Sequence, residues 1–259
     1  MKRWWRTFTR ASTVGPLATR EEYLRLWQEA RRREYPDVDA YERSCGAAID
    51  RDWFQQLALV TQVVVKRSVI CYQHGRLLYA ALRRYAREHP RERLCVVETG
   101  TARGFSALCL AKALQDAGAE GEIHSFDLLP HDVPRYWNCI RDADGPRTRA
   151  ELLADYTNLM QPYVTFWCAD SGTELHQLRP PRVHFAFLDS VHTRDHVLAE
   201  FGQIGARQRA GDITVFDDYP PGMYPGVVQA AEHICRSHRY TAQAVSISPG
   251  RGYLVAVKE

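Results

Sequence analysis

The chain has 259 residues, 45% of them hydrophobic and 25% charged, which is enough to bury a full core as one domain with an appendage. Its 34 lysines and arginines nearly balance 31 aspartates and glutamates, and the net charge of +3 gives no indication of a nucleic-acid partner. The seven cysteines form no CxxC pair and several lie in apolar runs, which favours reduced core residues of a cytoplasmic protein. No apolar run is long enough for a signal peptide or a membrane span, so no membrane partner is expected.

Residues 1–92 are predicted to form a helical cap or lid. Apolar residues recur at helical spacing over Glu21 to Tyr35 and over Asp52 to Glu88, without strand alternation. These apolar helices suit dimerisation as well as a lid, so a homo-oligomer is one expected outcome.

Residues 93–259 are predicted to form an α/β domain. Short apolar runs alternate with helical stretches, and the expected strands are LCVVE, EIHSFD, VTFWCAD, VHFAFLD and ITVFDD. This alternation is typical of a parallel sheet with helices on both faces. The final runs, YTAQAVSIS and GRGYLVAVK, predict an antiparallel hairpin, with which methyltransferase sheets end. We therefore expect a Rossmann-like seven-stranded methyltransferase sheet, parallel except for the C-terminal hairpin, flanked by helices and preceded by the helical extension.

The stretch VVETGTARG carries the cofactor motif. Glu98 ends a strand, and Gly100 and Gly104 lie where the chain turns into the next helix, which lets the backbone approach a ligand. Asp127 ends the second strand, where an acidic side chain accepts ribose hydroxyls. The phosphate-binding GxGxxG is incomplete and Glu98 can face a positively charged methionine end, which favours S-adenosylmethionine over a dinucleotide. The alternative is an ordinary strand-to-helix turn. The candidate cofactor residues are Glu98, Gly100, Thr101, Gly104, Ser106, Asp127, Asp170 and Ser171.

Three aspartates are predicted to meet at the carboxyl edge of the sheet. Asp189 ends the fourth strand, and Asp217 and Asp218 end the fifth. Clustered carboxylates repel unless a cation such as Mg²⁺ neutralises them, and such an ion can activate a hydroxyl. His192, three residues after Asp189, is the candidate base. The alternatives are a helix cap at Asp189 and a turn at Asp217 and Asp218.

Residues 128–162 are rich in Pro, Asp and Arg and are predicted to be an active-site insertion with one helix over Arg149 to Leu159. Tyr136 and Trp137 are expected to offer apolar faces to an acceptor, and Arg141, Arg147 or Arg149 to reach an anionic group. The alternative is that these arginines are solvated.

Over about residues 94–257, through VVETGTARG, SFDLLP, FLDSVH and VFDDYP, the chain resembles class I O-methyltransferases of the TylF and macrocin type. It resembles catechol O-methyltransferase more distantly. The resemblance implies Mg²⁺ held by residues matching Asp189, Asp217 and Asp218, and a base matching His192 where the catechol enzyme has lysine. It also implies a sugar or another hydroxylated natural product as acceptor. The chain departs from the catechol enzyme at Asp218, where that enzyme has asparagine.

The expected function is metal-assisted O-methylation of a hydroxyl on a small molecule. One alternative is a metal-free methyltransferase acting on nitrogen or on a carboxylate, with the aspartates organising loops. Another is a methyltransferase-fold protein that binds the cofactor without catalysis. An NAD-dependent dehydrogenase is disfavoured because this chain has an incomplete GxGxxG pattern. NAD-binding Rossmann domains also do not end their sheet with such a hairpin.

Overall fold

The computed structural model describes residues 15–219, 224–248 and 250–259. Within these ranges the chain forms a seven-stranded sheet in the order β3-β2-β1-β4-β5-β7-β6. The first five strands are parallel, and β7 runs antiparallel to both β5 and β6. The strands are β1 Leu94–Thr99, β2 Gly121–Asp127, β3 Val164–Cys168, β4 Phe185–Leu188, β5 Ile213–Phe216, β6 Tyr240–Ser248 and β7 Arg251–Lys258. The predicted fold class, including the C-terminal hairpin, is confirmed.

In the part of the chain that the structure describes, four α-helices, termed the front helices, precede the sheet and six further α-helices lie in its connections. The front helices are α1 Arg20–Arg31, α2 Pro36–Cys45, α3 Arg51–Thr61 and α4 His74–Glu88. The others are α5 Phe105–Ala117, α6 Arg149–Leu152, α7 Thr157–Met160, α8 Ser171–Glu174, α9 Arg194–Gly205 and α10 Pro225–His238.

Two hydrophobic clusters lie on opposite faces of the sheet because strand residues alternate between the faces. Val96 of β1 and Phe185 of β4 belong to the cluster that contains the front helices and α5. Their chain neighbours Val97 and Ala186 belong to the cluster that contains α9 and α10. The helices therefore cover both faces and leave the carboxyl ends of the parallel strands as the edge where ligands bind in such sheets.

The helix boundaries differ from the sequence prediction in the front part of the chain. The helix expected over Asp52 to Glu88 is interrupted by residues 62–73, so it forms two helices, α3 and α4. The helix expected over Glu21 to Tyr35 ends at Arg31. Pro36, which has no backbone N–H to give to a preceding turn, starts the unpredicted α2 instead.

The predicted helix over Arg149 to Leu159 is also broken. It consists of α6, a 3₁₀ turn over Ala154–Tyr156, and α7. All seven cysteines are free, and Cys168 is exposed although it was expected in the core. No helix among the described residues is long and apolar enough to cross a membrane.

Candidate functional site

The loop between β1 and α5, residues 100–104 and here termed the glycine loop, packs directly against the end of β4. Gly100 has φ +92°, and a Cβ atom at this position would lie 2.0 Å from the carbonyl oxygen of Asp189. Gly104 also has positive φ, and a Cβ there would lie 2.8 Å from Leu153 Cδ1. Glycine is therefore required at Gly100 by both conformation and space. The close approach brings two predicted regions of the site into contact.

Glu98 is completely buried beneath the glycine loop. One of its carboxylate oxygens accepts a hydrogen bond from the Ser125 hydroxyl, while Oε1 has no hydrogen-bond partner among the described residues. Burial raises the pKa of Glu98 to about 7, against the opposing effect of the neighbouring Ser106 and Ser125 hydroxyls. A buried carboxylate with an unpaired oxygen fits a cationic ligand group, such as the ammonium of a bound methionine moiety.

Thr101 and Asp127 connect the glycine loop to β2. The Thr101 hydroxyl lies 2.6 Å from the Ser125 hydroxyl. Asp127 accepts hydrogen bonds from the backbone N–H of Ala102, at 2.5 Å, and of Leu129, at 2.8 Å. Asp127 thus supports the turn in addition to the ribose-binding role predicted for it.

Arg149, a candidate for binding an anionic group of the acceptor, contacts the glycine loop, which was not predicted. Its side chain is only 1% exposed, its Nε donates to the Ala102 carbonyl at 3.0 Å, and an Nη atom lies 3.8 Å from Asp127. The guanidinium lies over the rings of Trp137 and Phe166. Sequence analysis placed Arg149 at the start of a helix, but periodicity carries no signal that it reaches the glycine loop.

Asp170 and Ser171 lie in the segment after β3, residues 169–172, which runs into the first turn of α8 and is here termed the β3 loop. The Asp170 carboxylate accepts a hydrogen bond from the Gly172 N–H at 2.9 Å and caps α8. The Ser171 hydroxyl donates to Glu200 of α9. The sequence prediction did not include Glu200 because it lies inside a helix, whereas the candidate residues were sought at the ends of strands.

The acidic cluster, which we define as Asp189, Asp217, Asp218 and His192, lies at the ends of the neighbouring strands β4 and β5. The His192 ring places Nε2 3.4 Å from an Asp189 oxygen and 3.3 Å from an Asp218 oxygen. The same ring stacks on Tyr224 with centroids 4.2 Å apart. The backbone therefore gathers all four residues at one edge of the sheet.

Burial and, after it, mutual repulsion raise the pKa of two carboxyl groups in the acidic cluster. The surrounding protein and the charge of Asp218 raise the pKa of Asp189 well above its ordinary value, although a quarter of its side chain is exposed. Burial and the charges of Asp189 and Asp218 raise the pKa of Asp217 in the same way. Arg251 of β7, 3.6 Å from Asp218, supplies a positive charge that the sequence analysis did not predict. The carboxylates are thus poised to gain from a further cation.

The carboxylates of the acidic cluster do not yet converge on one point. Three side chains of the metal-binding types His, Cys, Asp and Glu bring their ligand atoms within 4.8 Å of one another only at Cys95, Glu122 and His124, among the residues that the structure describes. That group fits a metal ion poorly. His124 Nδ1 accepts a hydrogen bond from Trp167, which leaves the proton on Nε2, and burial raises the pKa of Cys95 to about 12.

The four predicted acceptor residues lie within the insertion. Trp137 is only 4% exposed and its indole N–H donates to the Arg147 carbonyl, whereas Tyr136 is half-buried. Arg141 forms an ion pair with Asp155, and Arg147 lies 3.4 Å from Asp144. The insertion's own carboxylates therefore engage both arginines.

Comparisons with known proteins agree with this geometry. A family model described as a methyltransferase domain matches residues 97–219, from β1 to just after β5. A search of the curated proteins finds no match. The findings support an enzyme that transfers methyl groups.

Three solved structures are similar to the chain. Cofactor-bound Rv0187 from MTB has a TM-score of 0.56 and 20% identity, covering 88% of this chain and 98% of that one. The O-methyltransferase TomG from Streptomyces achromogenes, in complex with SAM, has a TM-score of 0.54 and 18% identity, covering 82% and 91%. The O-methyltransferase from Bacillus cereus, in complex with SAH, has a TM-score of 0.51 and 15% identity, covering 88% and 93%. These similarities show the methyltransferase fold.

Proposed function

We propose that this protein uses S-adenosylmethionine to methylate a hydroxyl group on a small molecule, with His192 as the base and a divalent cation on the acidic cluster. The observation that carries the proposal is the contact between Gly100 and Asp189. Because of this contact, the residues suited to a cofactor and the residues suited to activating a hydroxyl share one edge of the sheet. Such proximity supplies much of the rate in a transfer between two bound partners.

In the proposed complex, Oε1 of Glu98, which has no hydrogen-bond partner among the described residues, accepts a hydrogen bond from the cofactor's ammonium group. Asp127 accepts from the ribose hydroxyls, and Asp170 and Ser171 lie at the adenine end. The backbone of the glycine loop passes close to the methionine part of the cofactor. The residues proposed to lie there are Gly100, Thr101, Gly104 and, at the start of α5, Ser106. The bound cofactor supplies a methyl group on a sulfonium, which is electrophilic.

His192 takes the proton from the acceptor hydroxyl at Nε2. The carboxylates of Asp189 and Asp218 on either side of Nε2 stabilise the imidazolium that results. General-base catalysis of this kind contributes about 10²- to 10⁴-fold to a rate.

Asp189, Asp217 and Asp218 would hold the cation, which would lower the pKa of the acceptor hydroxyl. The support for this step is that the three carboxyl groups lie at the ends of the neighbouring strands β4 and β5. Burial, together with their mutual repulsion, raises the pKa of Asp189 and Asp217, and a cation held there would offset both effects. The same shifts mean that Mg²⁺ competes with protons, so its affinity should fall as the pH falls.

A metal-free methyltransferase acting on nitrogen or on a carboxylate is the second candidate. It is favoured by one observation: Arg251 of β7 lies 3.6 Å from Asp218, so the protein itself already supplies a positive charge beside the carboxylates. The aspartates would then organise the loops.

For the acceptor, we propose a sugar or natural product with adjacent oxygens, as the resemblance to the TylF type implies. The part that TomG plays in tomaymycin synthesis supports a natural-product acceptor. Residues 1–14 of the predicted cap, residues 1–92, lie outside the described residues. We propose its described part, residues 15–92, as a cap on the catalytic domain of residues 93–259, with residues 128–162 contributing to the acceptor pocket.

The test is a calorimetric titration of Mg²⁺ into the metal-stripped protein saturated with S-adenosylhomocysteine. Wild type should bind the ion, and Asp217→Asn should lose that binding because it removes one carboxylate of the cluster. Asp195→Asn is the matched control, since Asp195 is an exposed carboxylate on α9. Binding of Mg²⁺ by neither wild type nor control would refute the metal-assisted form and favour the metal-free candidate.

A further inference from the structure

One face of α9 is in contact with the β3 loop. His196, Glu200 and Gln203 follow one another at helical spacing, so they lie on the same side of the helix. A Cβ at Gly172 would lie 2.8 Å from His196 Cε1, and the Gln203 amide donates to the Gly172 carbonyl at 3.3 Å. The position of the β3 loop is therefore set by α9.

Glu200, at the centre of this face, also contacts the loop after β4, residues 189–193 and here termed the β4 loop. Its side chain is completely buried. The oxygen Oε1 accepts hydrogen bonds from Ser171 of the β3 loop and, at 2.6 Å, from Ser190 of the β4 loop. His196 Nε2 lies 3.2 Å from the same oxygen. One carboxylate thus joins two loops that are distant in sequence.

Because Glu200 is completely buried, its carboxylate depends on these contacts for stabilisation. Its other oxygen, Oε2, has no hydrogen-bond partner among the described residues, so the charge depends on the contacts of Oε1. A buried carboxylate is costly unless such contacts have good geometry, and removing a partner is strongly unfavourable. If either loop moved away from α9, the buried Glu200 carboxylate would lose a hydrogen bond, which is unfavourable.

We propose that Glu200 is a positioning residue that fixes the β3 loop against the β4 loop and so couples cofactor binding to the acidic cluster. The inference rests on the proposed function, because Ser171 follows the candidate cofactor residue Asp170 and Ser190 follows Asp189. Since coupling is reciprocal, occupation of either loop should favour the arrangement that the other needs. Ser190, outside the predicted cofactor residues, should then influence cofactor affinity.

The test is a double-mutant cycle on Ser190 and Glu200, measured as S-adenosylhomocysteine affinity by calorimetry. Ser190→Ala and Glu200→Gln should each weaken binding about tenfold, in line with the loss of a hydrogen bond to a charged group. In the Glu200→Gln background, Ser190→Ala should add less than about twofold, because residues that act through one contact are not additive. Asp195→Asn, on the same helix, should bind as wild type does.

A second readout separates positioning from general destabilisation. The hydrogen bond to Glu200 is the largest influence on His196 and raises its pKa. In Glu200→Gln, NMR titration should show a lower pKa for His196 with the near-ultraviolet circular dichroism of a folded protein. If Glu200→Gln does not fold, Ser190→Ala still tests the proposal, because it leaves the carboxylate in place.

Different results would refute the proposed function and the positioning role of Glu200. Wild-type protein that binds no S-adenosylhomocysteine would remove the proposed function and this inference with it. Wild type that binds, together with Ser190→Ala and Glu200→Gln variants of unchanged affinity, would overturn the inference alone.

Discussion

Replacing Gly100 by alanine should disrupt the contact on which the proposed site depends. The added Cβ would lie 2.0 Å from the Asp189 carbonyl oxygen and 2.7 Å from its carbonyl carbon, both of them backbone atoms. An L-residue at φ +92° is also strained. Backbone strain and overpacking each cost about 1–3 kcal/mol, so we expect a loss of about 3 kcal/mol in the free energy of unfolding. The glycine loop and the β4 loop should separate, and S-adenosylhomocysteine affinity should fall.

Gly118 provides the matched control for this substitution. It has φ +62° at the end of α5, and beyond its own neighbours in the chain no atom of the described residues would lie within 4 Å of a Cβ at this position. Gly118→Ala should therefore cost about 1 kcal/mol, from conformation alone, and leave ligand binding unchanged. Urea unfolding and calorimetric titration of the two variants give the comparison. Equal destabilisation of both, with equal ligand affinity, would refute the reasoning.

Two further predictions concern Glu98 and His192. Burial raises the pKa of Glu98 to about 7, so the folded state keeps a proton that the unfolded chain releases near pH 4.3. The free energy of unfolding should therefore fall by about 3 kcal/mol as the pH rises from about 4.3 to about 7, and Glu98→Gln should lose this dependence in urea unfolding. His192→Gln should lower kcat about 10²-fold or more without changing S-adenosylhomocysteine affinity, with protocatechuate as a probe that carries two adjacent hydroxyls. His233→Gln, at an exposed histidine of α10, is its control, and equal kcat in both variants would contradict the assignment of the base.

The sheet could be predicted from the sequence because its signals are local. Each parallel strand is a short apolar run between turns, and the C-terminal hairpin is a pair of such runs. The same periodicity fails at residues 62–73. This segment is apolar and β-branched without a Gly or Pro to mark a break, so two helices read as one.

Candidate site residues at strand ends could be located because parallel strands deliver their carboxyl ends to one edge. Asp189 and Asp217 are examples, since the pairing of β4 with β5 makes them neighbours. Glu200 and Arg251 could not be found this way. Glu200 lies in mid-helix and Arg251 at the start of an antiparallel strand, and only tertiary packing brings them to the parallel strand ends.

The central claim is that this edge of the sheet binds S-adenosylmethionine through Glu98. Its most direct test is calorimetric titration of the wild-type protein with S-adenosylhomocysteine on either side of the Glu98 pKa, at about pH 6 and about pH 8. We expect one S-adenosylhomocysteine per chain. Binding should be tighter at the higher pH, because the ionised Glu98 carboxylate accepts a hydrogen bond from the ammonium group of the ligand. Absence of binding at both pH values would contradict the account.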